Sequence, residues 1–139
     1  MHNFFQKLFG AGKNSSDGLT QEQREAIVDL LVFGMYSDRT VSLAEDQLIQ
    51  RRLEAMDWQA VETIDNYYDR AVTRVREVLD SGQETRASFL VRIAERLGDM
   101  PTREKAFALC HQLFLSDGNE SDDEKALEEE LREALLRAV

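Results

Sequence analysis

The sequence predicts an all-α domain of about six helices. Apolar residues recur at spacings of three and four along most of the chain, which is the period of one helix face. Capping boxes, in which Ser or Thr is followed three residues later by Glu or Gln, begin three of these runs. No stretch of four or more residues alternates convincingly between apolar and polar, and seven Gly with one Pro are too few for the turns of an all-β fold. The length of 139 residues indicates one domain.

The first 18 residues stand apart from the predicted helical domain, which spans residues 19–139. Residues 10–18 are rich in Gly, Ser and Asn and are typical of a flexible linker. The apolar cluster that precedes them is too short to form a stable isolated helix. Docking on the domain, disorder and shallow insertion into a membrane surface all stay open for this cluster. Its members are Phe4, Phe5, Leu8 and Phe9.

Two capping boxes place the first two helices. Thr20 with Gln23 predicts a helix over Gln21–Ser37, and Ser42 with Glu45 opens the next. The apolar positions that we expect to be buried in these helices are Ala26, Ile27, Leu30, Leu31, Gly34, Met35, Leu43, Leu48, Ile49 (or Gln47), Leu53 and Met56.

The third and fourth helices have weaker boundaries. Asp57 is the predicted cap of the third helix, and Ser81-Gly82 ends it. Gly98 and Pro101 close the fourth. The predicted buried positions are Trp58, Val61, Ile64, Tyr67, Tyr68, Ala71, Val72, Val75, Leu79, Ala87, Leu90, Ile93, Ala94 and Leu97.

The last two helices follow from one simple cap and one capping box. Thr102 is the predicted cap of the fifth helix, and Ser121 with Glu124 forms the box before the sixth. The predicted buried positions are Ala106, Phe107, Leu109, Cys110, Leu113, Phe114, Leu127, Leu131, Leu135 and Leu136.

The beginning and the end of the domain resemble each other. Each contains a helix, a short Ser-Asp turn, a capping box and a second helix, with a Glu seven residues after the Asp. The two acidic pairs are Asp38/Glu45 and Asp117/Glu124. The repeat predicts two helical hairpins that are related by a pseudo-twofold axis and cover each other's apolar faces.

These repeated motifs resemble those of the TerB-like domains, a family that includes a tellurite-resistance protein and the N-terminal domain of DjlA-type membrane co-chaperones. The family pattern is an apolar helix that ends in Ala-Asp-Gly, with a Glu seven residues after the Asp. The second copy, Phe114–Glu124, follows it with Ser116 for Ala, whereas the first copy, Met35–Glu45, has Arg39 in place of Gly. The resemblance covers about Leu19–Val139. It implies an all-helical fold with two related halves, an acidic cation site, a role in stress response or membrane-linked complexes, and no catalytic reaction.

The acidic pairs have two interpretations. In one, Asp38, Glu45, Asp117 and Glu124 act only as helix caps, which stabilise each junction by roughly 1–2 kcal/mol. In the other, the four carboxylates meet across the pseudo-twofold axis and bind Ca²⁺ or Mg²⁺, which prefer oxygen ligands. A calcium-binding EF-hand is excluded, because Asp122 stands where that loop requires Gly.

The composition excludes several function classes. A net charge of −10 repels phosphate backbones, so we expect no nucleic-acid partner. Cys110 is the single cysteine, and His2 and His111 are the two histidines, so neither a disulfide nor a Cys-based zinc site is possible within the chain. Adjacent Cys110 and His111 point about 100° apart on a helix and cannot form a nucleophile–base pair. With no catalytic motif, no signal peptide and no apolar membrane-spanning run, we expect a cytoplasmic protein that is not an enzyme.

Two charged regions remain as candidate interaction surfaces. Residues 117–133 are strongly acidic, which fits either a solvated helix face or a docking surface for a basic partner. Arg70, Arg74 and Arg76, with Arg51 and Arg52, make the middle of the chain basic, for pairing within the chain or for anion or partner binding. We expect a non-enzymatic binding or scaffold module with a divalent-cation site, and the resemblance to the TerB-like domains implies a link to stress response. The alternative is an acidic protein-interaction module at the inner face of the membrane, held there by its N-terminal apolar cluster.

Overall fold

A computed structural model of the chain confirms the all-α fold. It describes residues 18–37, 47, 49–51, 53, 57–111 and 122–137, with the side chains of the last range from residue 125 onward. Every regular element in this part of the chain is helical, and no strand occurs in it.

Five helices have defined bounds, and a further helical segment includes residues 47, 49–51 and 53. Its predicted buried positions Ile49 and Leu53 are buried, whereas the alternative Gln47 is exposed. The five helices are α1 (Gln21–Tyr36), α2 (Ile64–Asp80), α3 (Gln83–Leu97), α4 (Met100–Cys110) and α5 (Asp122–Leu136).

Helix α1 is the central element of the fold and packs against α2, α3 and α4. It begins at the predicted capping box: the backbone N–H of Gln23 donates to Thr20 Oγ1 (3.1 Å), and that of Thr20 donates to Gln23 Oε1 (2.9 Å). All residues from Ala26 to Met35 are buried, including those outside the predicted apolar stripe. A helix that is covered on every side lies inside the domain, so this is a core helix rather than an amphipathic surface helix.

Helix α2 begins later than the sequence predicts. Its cap is Thr63, whose hydroxyl accepts from the backbone N–H of Asn66 (3.2 Å). The prediction that Asp57 caps this helix is wrong: Asp57 lies in a non-helical stretch, with Oδ2 3.8 Å from Nη2 of the fully buried Arg24. Because both Asp and Thr are good caps, the sequence alone does not choose between them.

Two residues that are predicted to lie in the core, Trp58 and Val61, lie in the non-helical stretch before α2 and are not fully buried. Val61 is fully exposed, because the helical spacing on which the prediction depends does not hold outside a helix. Trp58 is half-buried, and its Nε1–H donates to the carbonyl of Glu62 (2.8 Å). Its ring packs against that of Tyr67, with centroids 5.4 Å apart.

Glycine marks the ends of α2 and α3, as predicted. Gly82 follows α2 with φ 102°, and Gly98 follows α3 with φ 89°, both in the region that favours glycine. The predicted cap of the next helix, Thr102, is wrong: Asp99 Oδ1 accepts from the backbone N–H of Thr102 (3.0 Å). The side-chain hydroxyl of Thr102, followed by this backbone hydrogen bond, lowers the pKa of Asp99. Pro101 lies in the first turn of α4, where its missing N–H costs nothing, rather than closing α3.

Helices α4 and α5 pack against each other and against α3. Leu127, Leu131 and Leu135 form the buried stripe of α5, as their spacing predicts. Cys110 is completely buried, and burial raises the pKa of its thiol, which agrees with an unreactive core cysteine. Ala87 of α3 is a predicted core residue that is exposed instead.

Several predictions fall outside the described residues. The turns that carry the repeat are among them, so the pseudo-twofold relation between the two halves stays a prediction. None of the described helices is long and apolar enough to cross a bilayer. The remaining predicted positions outside the described part are Phe4, Phe5, Leu8, Phe9, Ser42, Leu43, Glu45, Leu48, Met56, Leu113, Phe114 and Ser121.

Candidate functional site

The structure does not test whether the four predicted cation ligands lie close together, because their side chains are outside the described part of the chain. Asp38, Glu45 and Asp117 lie outside it, and Glu124 belongs to α5 with its side chain not described. Among the described residues, no three His, Cys, Asp or Glu side chains are grouped so that they can hold a metal ion. The Ca²⁺ or Mg²⁺ site at the four carboxylates therefore stays a prediction.

A concave surface lies between α3 and α5, and we call it the acidic groove. Its volume is about 550 Å³, and most of its lining is apolar. Leu90 is buried beneath it, whereas Val91 is 48% exposed. Short alanine side chains from both helices keep it open. The residues that line the acidic groove are Gln83, Ala87, Leu90, Val91, Ala126, Glu129, Glu130, Glu133 and Ala134.

Three glutamates of α5 border the acidic groove. Glu130 is held by Arg86 of α3, whose Nε and Nη2 donate to its two carboxylate oxygens at 2.7 and 2.9 Å. Glu133 pairs with Arg137, the residue that follows the end of α5. Glu129 is exposed and forms no ion pair within the described part of the chain. The acidic run predicted from the sequence is thus partly paired and partly free to meet another molecule.

A buried carboxylate forms the centre of a second polar cluster, on the other side of α3. Asp29 of α1 is 1% exposed. Its Oδ1 accepts from Nη2 of Arg74 (3.0 Å) and from the hydroxyl of Tyr67 (2.9 Å), and its Oδ2 accepts from Nη1 of Arg96 (2.7 Å). Two guanidinium groups and a phenol from α2 and α3 therefore hold one acid of α1. Because a buried charge is costly unless it is paired and hydrogen-bonded, this arrangement keeps Asp29 inside the domain.

The cluster changes the ionisation of its members. Burial, followed by the charge of Asp29, raises the pKa of Tyr67 to about 12. Burial alone would lower the pKa of Arg96, but the hydrogen bond and the charge of Asp29 raise it. The hydroxyl of Tyr67 also accepts weak hydrogen bonds from Arg74 (3.3 Å) and Arg96 (3.4 Å). Tyr67 therefore stays a neutral hydrogen-bond donor at ordinary pH.

Above this cluster lies a concavity of about 360 Å³, which we call the arginine pocket. Four arginines line it: Arg70, Arg74, Arg92 and Arg96. Arg70 donates two hydrogen bonds of 2.7 Å to Glu62, and these bonds lower the pKa of that carboxyl. Arg92 is exposed and forms no ion pair with any described residue. The pairing predicted for the arginines of α2 is thus confirmed at Arg70 and Arg74.

The role of Asp29 is not predicted from the sequence. The signal available was a single acid within the apolar run from Ala26 to Met35, where a helix face would otherwise be continuous. Tyr67 was expected only as core or boundary packing, and its hydroxyl is in addition a member of the cluster. His111 is partly buried at the end of α4, with Nε2 3.9 Å from a carboxylate oxygen of Glu128.

The described residues form a helical domain with two concave surfaces, one bordered by carboxylates and the other by guanidinium groups. No family model matches this chain, and no curated protein or solved structure matches it significantly. The resemblance to the TerB-like domains, and the link to tellurite resistance and stress response that it implies, therefore stay predictions.

Proposed function

We propose that this chain is a binding module rather than an enzyme, and that its acidic groove receives an amphipathic helix of a basic protein partner. The observation that carries the proposal is the combination of an apolar floor with a border of carboxylates. A helix with one apolar face and lysines or arginines beside it is complementary to such a surface. This develops the interaction role expected of the acidic run.

The apolar floor supplies a reason for a partner to bind. Val91 and Ala87 present apolar surface to solvent over the buried Leu90. Burying such surface is favourable by about 25 cal/mol per Å². The small side chains of Ala126 and Ala134 on the opposite wall let another helix approach closely, because the distance between packed helices depends on the side chains at the contact.

The border supplies selectivity for a basic partner. Among the described residues, Glu129 has no ion pair, and Glu133 pairs only with the exposed Arg137, which follows the end of α5. Both carboxylates are therefore available to a cation of the partner. The net charge of −10 speeds the encounter with basic molecules in general, so selectivity must come from the groove itself.

The resemblance to TerB-like domains agrees with this proposal, since it implies binding or scaffold roles without catalysis. Attachment to a membrane through Phe4, Phe5, Leu8 and Phe9 would place the same module at a bilayer surface. Participation in a stress response would then depend on which partner the groove binds.

The proposal is tested with a synthetic helical peptide that carries leucines on one face and lysines at its edges. Its affinity for the full chain is measured by fluorescence anisotropy. Glu129→Lys should weaken binding about tenfold, a change of about 1.4 kcal/mol. Val91→Ser should weaken it about fivefold, through lost apolar contact. Glu104→Lys makes the same charge change at an exposed position of α4 and should leave the affinity within about twofold.

Two results would overturn the proposal. Equal weakening by Glu129→Lys and Glu104→Lys would mean that the peptide responds only to the overall charge. Tighter peptide binding by the Phe5→Ser/Phe9→Ser variant would assign the groove to the chain's own N-terminal segment instead of a partner.

A further inference from the structure

The arginine pocket has more positive charge than its neighbours neutralise. Its four guanidinium groups outnumber the carboxylates that line it, Glu25 and Asp29, even when Glu62 beside Arg70 is included. In a chain with a net charge of −10, this local excess is the opposite of the average surface. A concave surface with such an excess attracts anions.

The hydrogen-bond donors of the pocket are only partly used. Arg74 contributes Nη2 alone to Asp29 and Tyr67, so its Nε and Nη1 have no hydrogen-bond partner among the described residues. The guanidinium of Arg92 has none there at all. Because the side chain of Arg74 is 37% exposed, its remaining N–H groups can reach a ligand in the pocket.

The buried acid beneath the pocket fixes the direction of two arginines. Asp29 binds Arg74 through one carboxylate oxygen and Arg96 through the other, so their planes are set before any ligand arrives. Prior orientation reduces the side-chain entropy that binding would otherwise cost. Planar guanidinium groups donate two parallel hydrogen bonds to phosphate oxygens, which makes arginine the preferred residue for such groups.

The space suits a phosphate group that carries a small organic substituent. The arginine pocket, of about 360 Å³, lies at the lower end of the size range of small-molecule sites. A second concavity of about 300 Å³ shares Phe89 and Arg92 with it. Thr85 and Ser88 line this second space and offer hydroxyl groups to a polar substituent.

We propose that the arginine pocket binds the phosphate group of a small phosphate monoester. Arg74 and Arg92 donate to the phosphate oxygens, Arg96 holds the buried end of the pocket with Asp29, and the substituent extends past Arg92 toward Ser88. The proposal does not rest on the acidic groove, because the two surfaces lie on different sides of α3.

The test is calorimetric titration of the full chain with inorganic phosphate and, separately, with glycerol phosphate. Sodium chloride of equal ionic strength serves as the blank. Saturable binding of both ligands is expected, tighter for the ester. Arg92→Gln should weaken it about tenfold, since a hydrogen bond to a charged group contributes about 1.5–3 kcal/mol. Folding should be unaffected, because Arg92 is exposed and makes no ion pair with the described residues.

Arg76→Gln is the matched control. It removes the same charge from α2, but Arg76 lies over the ring of Tyr36, 5.4 Å from the centroid, and does not line the pocket. The control should change the affinity by less than about twofold. Equal weakening by Arg92→Gln and Arg76→Gln, or no saturable binding of either ligand at millimolar concentration, would overturn the proposal. Equal affinity for the two ligands would support a phosphate site but overturn the part of the proposal that places a substituent near Ser88.

Discussion

Helix α3 separates two concave surfaces in which charge is arranged in opposite ways. In the acidic groove, the carboxylates of α5 stand at an exposed border around an apolar floor. In the arginine pocket, the guanidinium groups stand at the border and the central carboxylate, Asp29, is buried beneath them. One helix serves both surfaces, with Val91 facing the first and Arg92 the second.

The difference between the two surfaces indicates that the burial of a charged side chain, more than the sign of its charge, decides how much stability is lost when it is removed. A carboxylate at the border of the groove is hydrated whether or not it is paired, so the domain depends on it little. The carboxylate of Asp29 is 1% exposed and is the acceptor for three donors from α2 and α3, so its removal leaves these donors without their partner at a mostly buried position. We therefore expect substitutions at the exposed border of the groove to change the free energy of unfolding little, and substitutions under the pocket to lower it substantially.

The largest expected effect comes from removing the buried acid. Asp29→Ala leaves Arg74 and Arg96 facing each other without their shared carboxylate, and the phenol of Tyr67 without its acceptor. We expect the free energy of unfolding to fall by about 3 kcal/mol, at the lower end of the range for broken buried pairs. Both arginine side chains are partly exposed, at 37% and 27%, and water relieves some of the strain. Urea unfolding measures the loss.

The matched variant on the other surface is Glu129→Ala. It removes one carboxylate from an exposed helix position and should change the free energy of unfolding by less than about 0.5 kcal/mol. Similar losses in Asp29→Ala and Glu129→Ala would show that the two surfaces do not differ in the way that the contacts indicate.

A smaller effect is expected at the tyrosine of the cluster. Tyr67→Phe removes the hydroxyl that donates to Asp29, while both arginine pairs remain. A hydrogen bond to a charged group contributes about 1.5 kcal/mol, so we expect a loss of that size in urea unfolding. A loss as large as that of Asp29→Ala would mean that the hydroxyl, and not the ion pairs, holds the cluster together.

The raised pKa of Tyr67 also makes the stability of the domain depend on pH in the alkaline range. The folded-state pKa of Tyr67 is about 12, above its ordinary value of 10. The unfolded chain therefore releases this proton first, and the stabilisation by Tyr67 is complete below pH 10 and is lost as the pH rises through 12. Unfolding midpoints measured at about pH 9 and about pH 11 should fall more in the unaltered chain than in Tyr67→Phe. An equal fall in both would assign the pH dependence to other groups.

Features that depend on residues close together in the sequence can be predicted from it, whereas features that depend on contacts between distant residues cannot. Periodicity and the Thr20 box identify helices because both act within one or two turns. The caps at Asp57 and Thr102 were misplaced, because Thr63 and Asp99 satisfy the same local rule a few residues away. Periodicity and capping signals therefore predict the presence of a helix more reliably than the residue at which it begins.

The two surfaces were predictable to different degrees for the same reason. The acidic border of the groove follows directly from the run of glutamates in α5. The cluster under the arginine pocket does not, because Asp29 meets partners 45 and 67 residues away along the chain. Only the packing of α1 against α2 and α3 brings these groups together, and an isolated acid in an apolar run does not say which cations it will meet.

An effect smaller than those of Asp29→Ala and Tyr67→Phe is expected from the ion pair that joins the two walls of the groove. Arg86 and Glu130 form two hydrogen bonds between α3 and α5, and each side chain is 20% exposed. A double-mutant cycle with Arg86→Gln and Glu130→Gln isolates the pair from the contact of Arg86 with the ring of Phe33. We expect a coupling energy of about 1 kcal/mol, at the upper end of the range for surface pairs because the geometry is bidentate.

The pair Arg132–Glu128 gives the comparison for that cycle. It lies within one turn of α5, with Arg132 49% exposed, and its coupling energy should be about 0.3–0.5 kcal/mol. Added salt should weaken the coupling of Arg132–Glu128 more than that of Arg86–Glu130, because exposed charges are screened more strongly. Equal coupling energies with equal sensitivity to salt would mean that Arg86–Glu130 behaves as an ordinary surface pair. None of the carboxylates on the border of the acidic groove would then contribute to stability in the way that Asp29 does in the buried cluster.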